Sequence, residues 1–385
     1  MKELKEMELF NELLRTPENE LVKKAIADGR HPIGYHCYTT PIPLMEVGDF
    51  FPVRLRGTQV ESTEDGNFYM GAWLCSYSRT IVQALINGDY DWLDGLLGTL
   101  SCIQIQRAMQ HEGLLGMDKR KSPFFYEIID VPRKQLDASV HRMTMDVRRI
   151  AGELGAMYGT DMSDKALSKA ICEHNEFNAL MRSIGDMRLE DKPRITGTEW
   201  HEVMTASLVA PHYLLVEPLK RLKAALEART PDRVRKPRLM VVGSILDDPA
   251  YTRLIEEQGC VVVADRYCFG SMPGLEDIGE EGDPYESIVR HYLANTQCPR
   301  MMEESVDRFD YVMDAVEKYK IDGVVFETMK FCDLWGYEAL VNFRRIQKAN
   351  VPAIRIEREY LMSGEGQFAT RTQAFVESIR NRDLV

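Results

Sequence analysis

The stretch Ile321-Asp-Gly-Val-Val-Phe-Glu-Thr-Met-Lys-Phe-Cys332-Asp333-Leu-Trp-Gly-Tyr-Glu338 constrains the fold of this chain more than any other. Its apolar run, Val324 to Phe326, suits a parallel strand covered on both faces, and Asp333 reads as the N-cap of a helix continued by Tyr337, Leu340 and Val341. Cys332 therefore stands where a strand ends and a helix begins. In open parallel sheets ligands bind at that place, and a helix N-terminus there favours a thiolate or a thiolate-held anionic group.

The arrangement recurs. Trp73-Leu-Cys75-Ser76-Tyr77-Ser78-Arg79 runs into a helical pattern at Ile81, Val82 and Leu85, and Leu93 to Cys102 reads as a buried strand that delivers a cysteine to a helix from Gln104 through Met109. His31-Pro-Ile-Gly-Tyr-His-Cys37 predicts a short strand, followed by a helix through Leu44 and Val47 and a second strand from Phe50, so a βαβ unit opens this part of the chain. Arg238-Leu-Met-Val-Val-Gly-Ser begins a second such region. It continues with a helix near Asp248 to Gln258, a strand from Cys260 to Asp265 ending close to Cys268, a helix from Tyr285 to Leu293, then Cys298-Pro299-Arg300, and a last strand from Val351 to Ile356.

Between these regions, residues from about Lys134 to Leu226 carry helical spacing, as in Met143, Val147, Ile150 and Leu154. Arg229 to Pro237 is charged and proline-bearing, hence a linker. The expected class is α/β with two parallel-sheet domains: N-terminal helices at 1–30, a first α/β domain at 31–133, a helical bridging region at 134–230 and a second α/β domain at 231–385. The 385 residues supply ample apolar material for that many cores.

Lys+Arg 48 against Asp+Glu 60 leave a net charge of -12, which opposes nonspecific contact with nucleic acid. The start, Met-Lys-Glu-Leu-Lys-Glu-Met, has no apolar signal core, and no uncharged run approaches the roughly 18 residues of a membrane span, so a cytoplasmic protein without a membrane partner is expected. Eight cysteines without a secretion signal point to reduced thiols, metal sites or catalysis rather than to disulfides. None stands in a C-x-x-C pair, so any shared site must be gathered by the fold.

Cys75, Cys102 and Cys332 form the best set, since each follows an apolar or aromatic segment and precedes a helix. Convergent strand ends could bring them to one cleft, where three thiolates suit an iron-sulfur cluster with one iron left for another ligand. Cys37, Cys268 and Cys298 make a second trio at strand ends or loops, for ligation or for packing. Cys172 and Cys260 read as packing residues. His36 and Glu338, beside Cys37 and after Cys332, are candidate proton donors or structural groups. Arg79 and Arg107, one turn beyond their cysteines, could temper cluster charge or bind a carbonyl or phosphate, and surface pairing is the alternative. Gly366 and Gln367 follow the last strand and could cradle an anion or form a plain turn. No G-x-x-x-x-G-K-[ST] or G-x-G-x-x-G is present, so nucleotide binding has no local support.

Taken in order, Gly34-Tyr-His-Cys37-Tyr, Cys75-Ser-Tyr-Ser-Arg79, Asp94-Gly with Ser101-Cys102, Asn175-Glu, Ile195-Thr-Gly197-Thr, Cys268-Phe-Gly-Ser, Cys298-Pro-Arg, Lys330-Phe-Cys332-Asp and Glu357-Arg-Glu-Tyr360 with Gly366-Gln367-Phe-Ala-Thr370-Arg371 resemble the benzoyl-CoA reductase and 2-hydroxyacyl-CoA dehydratase family. The resemblance covers most of the chain. It implies two flavodoxin-like domains, a homologous larger catalytic subunit as partner, and a separate activator with its own 4Fe-4S cluster that hydrolyses ATP and delivers electrons singly. Cys75, Cys102 and Cys332 match cluster ligands of that family. Some relatives hold a double-cubane 8Fe-9S cluster through six cysteines, for which Cys37, Cys268 and Cys298 would supply the other half. Ile103 and Leu334 stand where relatives often carry Asp and Pro, which alters the expected pocket shape.

Within the family the chain looks most like the smaller catalytic subunit of the ATP-dependent benzoyl-CoA reductases. The expected activity is Birch-like reduction of an aromatic acyl-CoA by low-potential single electrons. The alternatives are a dehydratase subunit that eliminates water through a ketyl radical, and a noncatalytic electron-relay subunit.

Overall fold

Parallel strands in two separate sheets carry the molecule, and the helices that connect them set where the strand ends point. The computed structural model describes residues 3–115, 121–232, 234–271, 274–295 and 298–382. Helices α1 (Met7–Leu13) and α2 (Glu20–Ala27) come first, and the Asn19 side chain caps α2 by accepting from the Leu21 and Val22 N–H groups. Then follow β1 (His31–Tyr35), β2 (Phe50–Arg54), α3 (Glu64–Met70), α4 (Ser76–Ile86), β3 (Gly95–Thr99), α5 (Ile103–Leu114) and β4 (Phe125–Ile129). The first sheet has the order β2-β1-β3-β4, every pair parallel.

Between β1 and β2 the expected helix is a 3-10 turn, Ile42–Met45. Pro41 and Pro43 are tolerated at its start, and Gly48, at φ 62°, turns the chain away before a longer helix can form. The strand expected from Leu93 to Cys102 is confined to β3. Gly98 on it admits the Met109 side chain of α5, which any Cβ at that position would strike.

Four helices follow, α6 (Asp137–Tyr158), α7 (Asp164–Gly185), α8 (Gly197–Val209) and α9 (His212–Ala228). A reciprocal Thr196–Glu199 cap opens α8. The second sheet is then built from β5 (Arg238–Gly243), α10 (Pro249–Glu256), β6 (Val261–Arg266), α11 (Pro284–Ala294), α12 (Ser305–Lys318), β7 (Gly323–Met329), α13 (Asp333–Lys348), β8 (Ala353–Arg358) and α14 (Glu365–Arg382). Its order, β6-β5-β7-β8, is again wholly parallel. The α/β class with two parallel sheets is thus as the sequence indicates. Among the described residues no helix is long and apolar enough to cross a membrane.

One face of the first sheet packs Ile33, Leu97 and Ile129 against Met143, Val147 and Ile150 of α6. Tyr285, Ile288 and Leu293 of α11 join the same core, so residues that sequence order groups with the second sheet cross back to the first. The other face gathers Leu96, Tyr77, Ile81 and Met109, and it is closed by Met329 and Tyr360 from the far end of the chain. Polar ties lock the two halves here. The Gly57 N–H donates to the Tyr360 hydroxyl at 2.8 Å, and the Arg56 Nη2 donates to the Asp247 carbonyl at 2.7 Å. The ends of β1, β3, β6 and β7 open on the space between.

Candidate metal centre

That space is one cavity of ≈ 800 Å³, counting its open mouth, and Cys37, Cys75, Cys102, Cys268, Cys298 and Cys332 all line it. Its remaining walls include Ile103, Ile105, Ile245, Met329, Leu334 and Trp335, an apolar lining that keeps water from competing for a bound group. Of the eight cysteines, only Cys172 and Cys260 lie elsewhere. The Cys260 thiol donates to the Ile255 carbonyl at 3.0 Å and the Cys172 thiol to the Glu280 carboxylate at 3.3 Å.

Local structure explains how each thiol arrives. Cys75, Cys102 and Cys332 occupy the cap positions immediately before α4, α5 and α13. The cap of α13 is Cys332 itself, and Asp333, expected there, is the first helical residue. Phe331, at φ 62°, turns the chain sharply enough after β7 to place the cysteine at the boundary. Cys102 Sγ accepts from the Ile105 N–H at 3.5 Å, as a capping side chain does. Two of these three cysteines follow strands. Cys75 instead follows α3 and a turn, so convergence does not rest on strand ends alone. Cys37 follows β1, Cys268 follows β6, and Cys298 lies between α11 and α12.

Three side chains hold these segments together. Gln104 accepts from the Cys75 N–H at 3.4 Å and donates to Asp333 Oδ2 at 3.0 Å, linking the starts of α4, α5 and α13. Arg300 donates to the carbonyls of Ser101 at 2.6 Å, Leu100 at 2.8 Å and Pro132 at 3.0 Å, which ties the Cys298 loop to the Cys102 loop. Arg54 donates to the His36 carbonyl at 3.1 Å and to the Cys268 carbonyl, with its guanidinium 3.8 Å from the Phe269 ring centre.

The electrostatics follow from crowding. Burial, then the neighbouring Cys75, pushes the Cys102 thiol up to about 12, although the Ile105 N–H works the other way. Burial and Cys75 likewise hold Cys332 well above the ordinary thiol value, and burial and Cys298 do so for Cys268. Several thiolates can share this cavity only together with cations, and a sulfur-rich, largely dry donor set suits iron, iron-sulfur clusters or another thiophilic metal. The residues present therefore fit a thiolate-ligated metal group.

His36 also lines the cavity. Its Nε2 lies 2.7 Å from Glu112 Oε1, with the two side chains 1% and 0% exposed, while His36 Nδ1 and Glu112 Oε2 have no hydrogen-bond partner among the described residues. The other expected site residues are placed outside the lining. Glu338 is buried and accepts from Arg308 Nε at 2.7 Å and Asn342 Nδ2 at 2.8 Å. Arg79 donates to the Leu74 carbonyl at 3.0 Å and to Asn67 Oδ1 at 2.5 Å, bracing the approach to Cys75. Arg107 is exposed and donates to Gln110 at 2.8 Å, and Gly366 and Gln367 are exposed in the first turn of α14.

Comparison with known proteins places the chain in a family. Residues 37–379 match the family model described as 2-hydroxyglutaryl-CoA dehydratase, D-component. The chain belongs to that family. It is 24% identical over 371 residues to the (R)-phenyllactyl-CoA dehydratase beta subunit of Clostridium sporogenes, covering 96% of this chain and 97% of that protein. It is 22% identical over 367 residues to the lactoyl-CoA dehydratase subunit beta of Anaerotignum propionicum, covering 93% and 95%. It is 23% identical over 364 residues to a benzoyl-CoA reductase subunit of Thauera aromatica, covering 91% of each. All three relatives are single subunits of larger CoA-thioester enzymes by name.

Proposed function

We propose that this chain is the iron-sulfur subunit of an ATP-dependent benzoyl-CoA reductase, with Cys75, Cys102, Cys332, Cys37, Cys268 and Cys298 as the ligands of its cluster. The observation that carries the reading is that all six line one cavity. Six thiols at one place favour a double-cubane 8Fe-9S cluster over a single 4Fe-4S cluster, and with it a reductase. When bound there, such a cluster would supply low-potential single electrons to an aromatic acyl thioester.

The chain's own residues have separate tasks. The helix N-termini behind Cys75, Cys102 and Cys332 offset anionic charge, and Ile105, Met329 and Trp335 exclude water. His36, held at Nε2 by Glu112, keeps a proton at the cavity wall for a reduced substrate. Trp73 and Phe331, 81% and 38% exposed and packed edge to face at 5.8 Å, flank Cys75 and Cys332 and suit contact with a homologous larger subunit. ATP would be hydrolysed by a separate iron-sulfur activator, in the cytoplasm. The two sheet-bearing units, 31–133 and 231–385, would form the halves of the cleft, with 1–30 and 134–230 bracing them.

A dehydratase reading is favoured by the names of two of the three relatives above. Turnover stoichiometry separates the two. With partner and activator present, a reductase consumes electrons and ATP in every cycle and accumulates a reduced ring. Catalysis of water loss from a 2-hydroxyacyl-CoA after a single priming electron would refute the reductase.

A further inference from the structure

Away from the thiols, a second donor set stands on the wall of an open cleft of ≈ 1580 Å³, its mouth included. Glu46 comes from the turn before β2, His174 from the middle of α7, and His212 opens α9. Their ligand atoms lie within 4.8 Å of one another. His174 Nδ1 is 2.7 Å from Glu46 Oε2, and His212 Nδ1 is 2.5 Å from Glu46 Oε1.

The polarity of His212 makes this more than an ion pair. Its Nε2 is 2.9 Å from the Ser207 carbonyl, which can only accept, so Nε2 carries the hydrogen. Neutral His212 then points the Nδ1 lone pair at a carboxylate oxygen, and two acceptors that close need a positive charge between them. The Phe177 ring, stacked at 3.9 Å and 8°, prevents the imidazole from turning away. Either a proton or a metal ion fills that role.

We propose that Glu46, His174 and His212 bind one divalent metal ion of the zinc class, with a fourth position open to the cleft for water or a ligand oxygen. Two imidazoles and a carboxylate are a zinc donor set, and a backbone carbonyl on the far N–H of His212 is the support such ligands use. Zinc bonds of about 2.0–2.1 Å place tetrahedral ligand atoms about 3.3 Å apart, so each of the two histidine–Glu46 contacts needs to open by less than about 1 Å. All three residues line the cleft, which gives an ion a route of entry. None of them lines the thiol cavity, so this site stands or falls apart from the iron-sulfur reading.

The test is zinc content and zinc X-ray absorption on the full chain, purified anaerobically and equilibrated with zinc, with iron counted in the same sample. The site requires about one zinc per chain with neighbours at about 2.0–2.1 Å and no sulfur at about 2.3 Å. Glu46→Gln and His212→Gln should each lose that zinc while the iron count holds. No bound zinc in the wild-type chain, zinc with sulfur neighbours alone, or zinc with nitrogen and oxygen neighbours retained in a folded His174→Gln/His212→Gln chain would overturn the site. The wild-type spectrum decides the matter even where a variant fails to fold.

Discussion

Gln104 Nε2 donates to Asp333 Oδ2 at 3.0 Å across 229 residues of sequence, and the same amide accepts from the Cys75 N–H at 3.4 Å. One uncharged side chain thus sets the spacing of the three helix starts that carry Cys75, Cys102 and Cys332. Replacing Gln104 with Leu leaves the Asp333 carboxylate and the Cys75 N–H without this partner, at a cost of about 1–3 kcal/mol. The expected outcome is a lower thermal midpoint and a lower iron count. A Gln104→Leu chain with wild-type iron would show that the thiols do not depend on this link.

Arg300 is the corresponding link for Cys298. Its guanidinium is buried and satisfies main-chain carbonyls from two loops, so Arg300→Ala should destabilise the fold by more than about 2 kcal/mol in urea unfolding. Arg300→Lys should recover only part of the loss, because an ammonium cannot reproduce the planar fork.

The buried His36–Glu112 pair gives a prediction for chemistry rather than stability. Glu112→Gln keeps a hydrogen-bonding group of the same size beside His36 Nε2 but changes the proton it holds. Turnover by the assembled enzyme should fall by about 100-fold or more, with iron content unchanged. Full activity in Glu112→Gln would remove His36 from proton transfer.

His201 makes stability depend on pH. It is fully buried, with Nδ1 2.9 Å from Thr252 Oγ1 and Nε2 3.0 Å from the Leu246 carbonyl. Burial pushes it down from 6.5 to about 3. Below about pH 6.5 the unfolded chain takes up a proton that the folded chain refuses, so stability is lost as pH falls toward 3, by up to about 1.4 kcal/mol per unit. Urea unfolding of wild type and His201→Gln at pH 7 and pH 5 should show a shallower pH dependence in the variant.

The parts of this protein legible in the sequence are those written locally. The runs Val324–Phe326 and Leu96–Leu97 followed by a cysteine and a helix start announce strand, thiol and cap together, and both sheets form as expected around them. What is not legible depends on distance. Gln104, Arg54 and Glu112 act on partners far away in sequence, and nothing in their neighbours distinguishes them from surface polar residues. Glu338 shows the converse. Close to Cys332 in sequence, it points to Arg308 on α12, a partner no spacing rule reveals. The return of Ile278, Tyr285, Ile288, Leu293 and Met301 to the first sheet is of the same kind, since an amphipathic helix does not specify which sheet it covers.

Cys75, Cys102 and Cys332 together with Cys37, Cys268 and Cys298 are proposed to grip one inorganic iron-sulfur group. Iron and acid-labile sulfide, counted on the anaerobically purified chain, test it most directly. About eight irons per chain are expected, falling in both Cys75→Ser and Cys298→Ser. A wild-type chain that carries no iron or sulfide would contradict it.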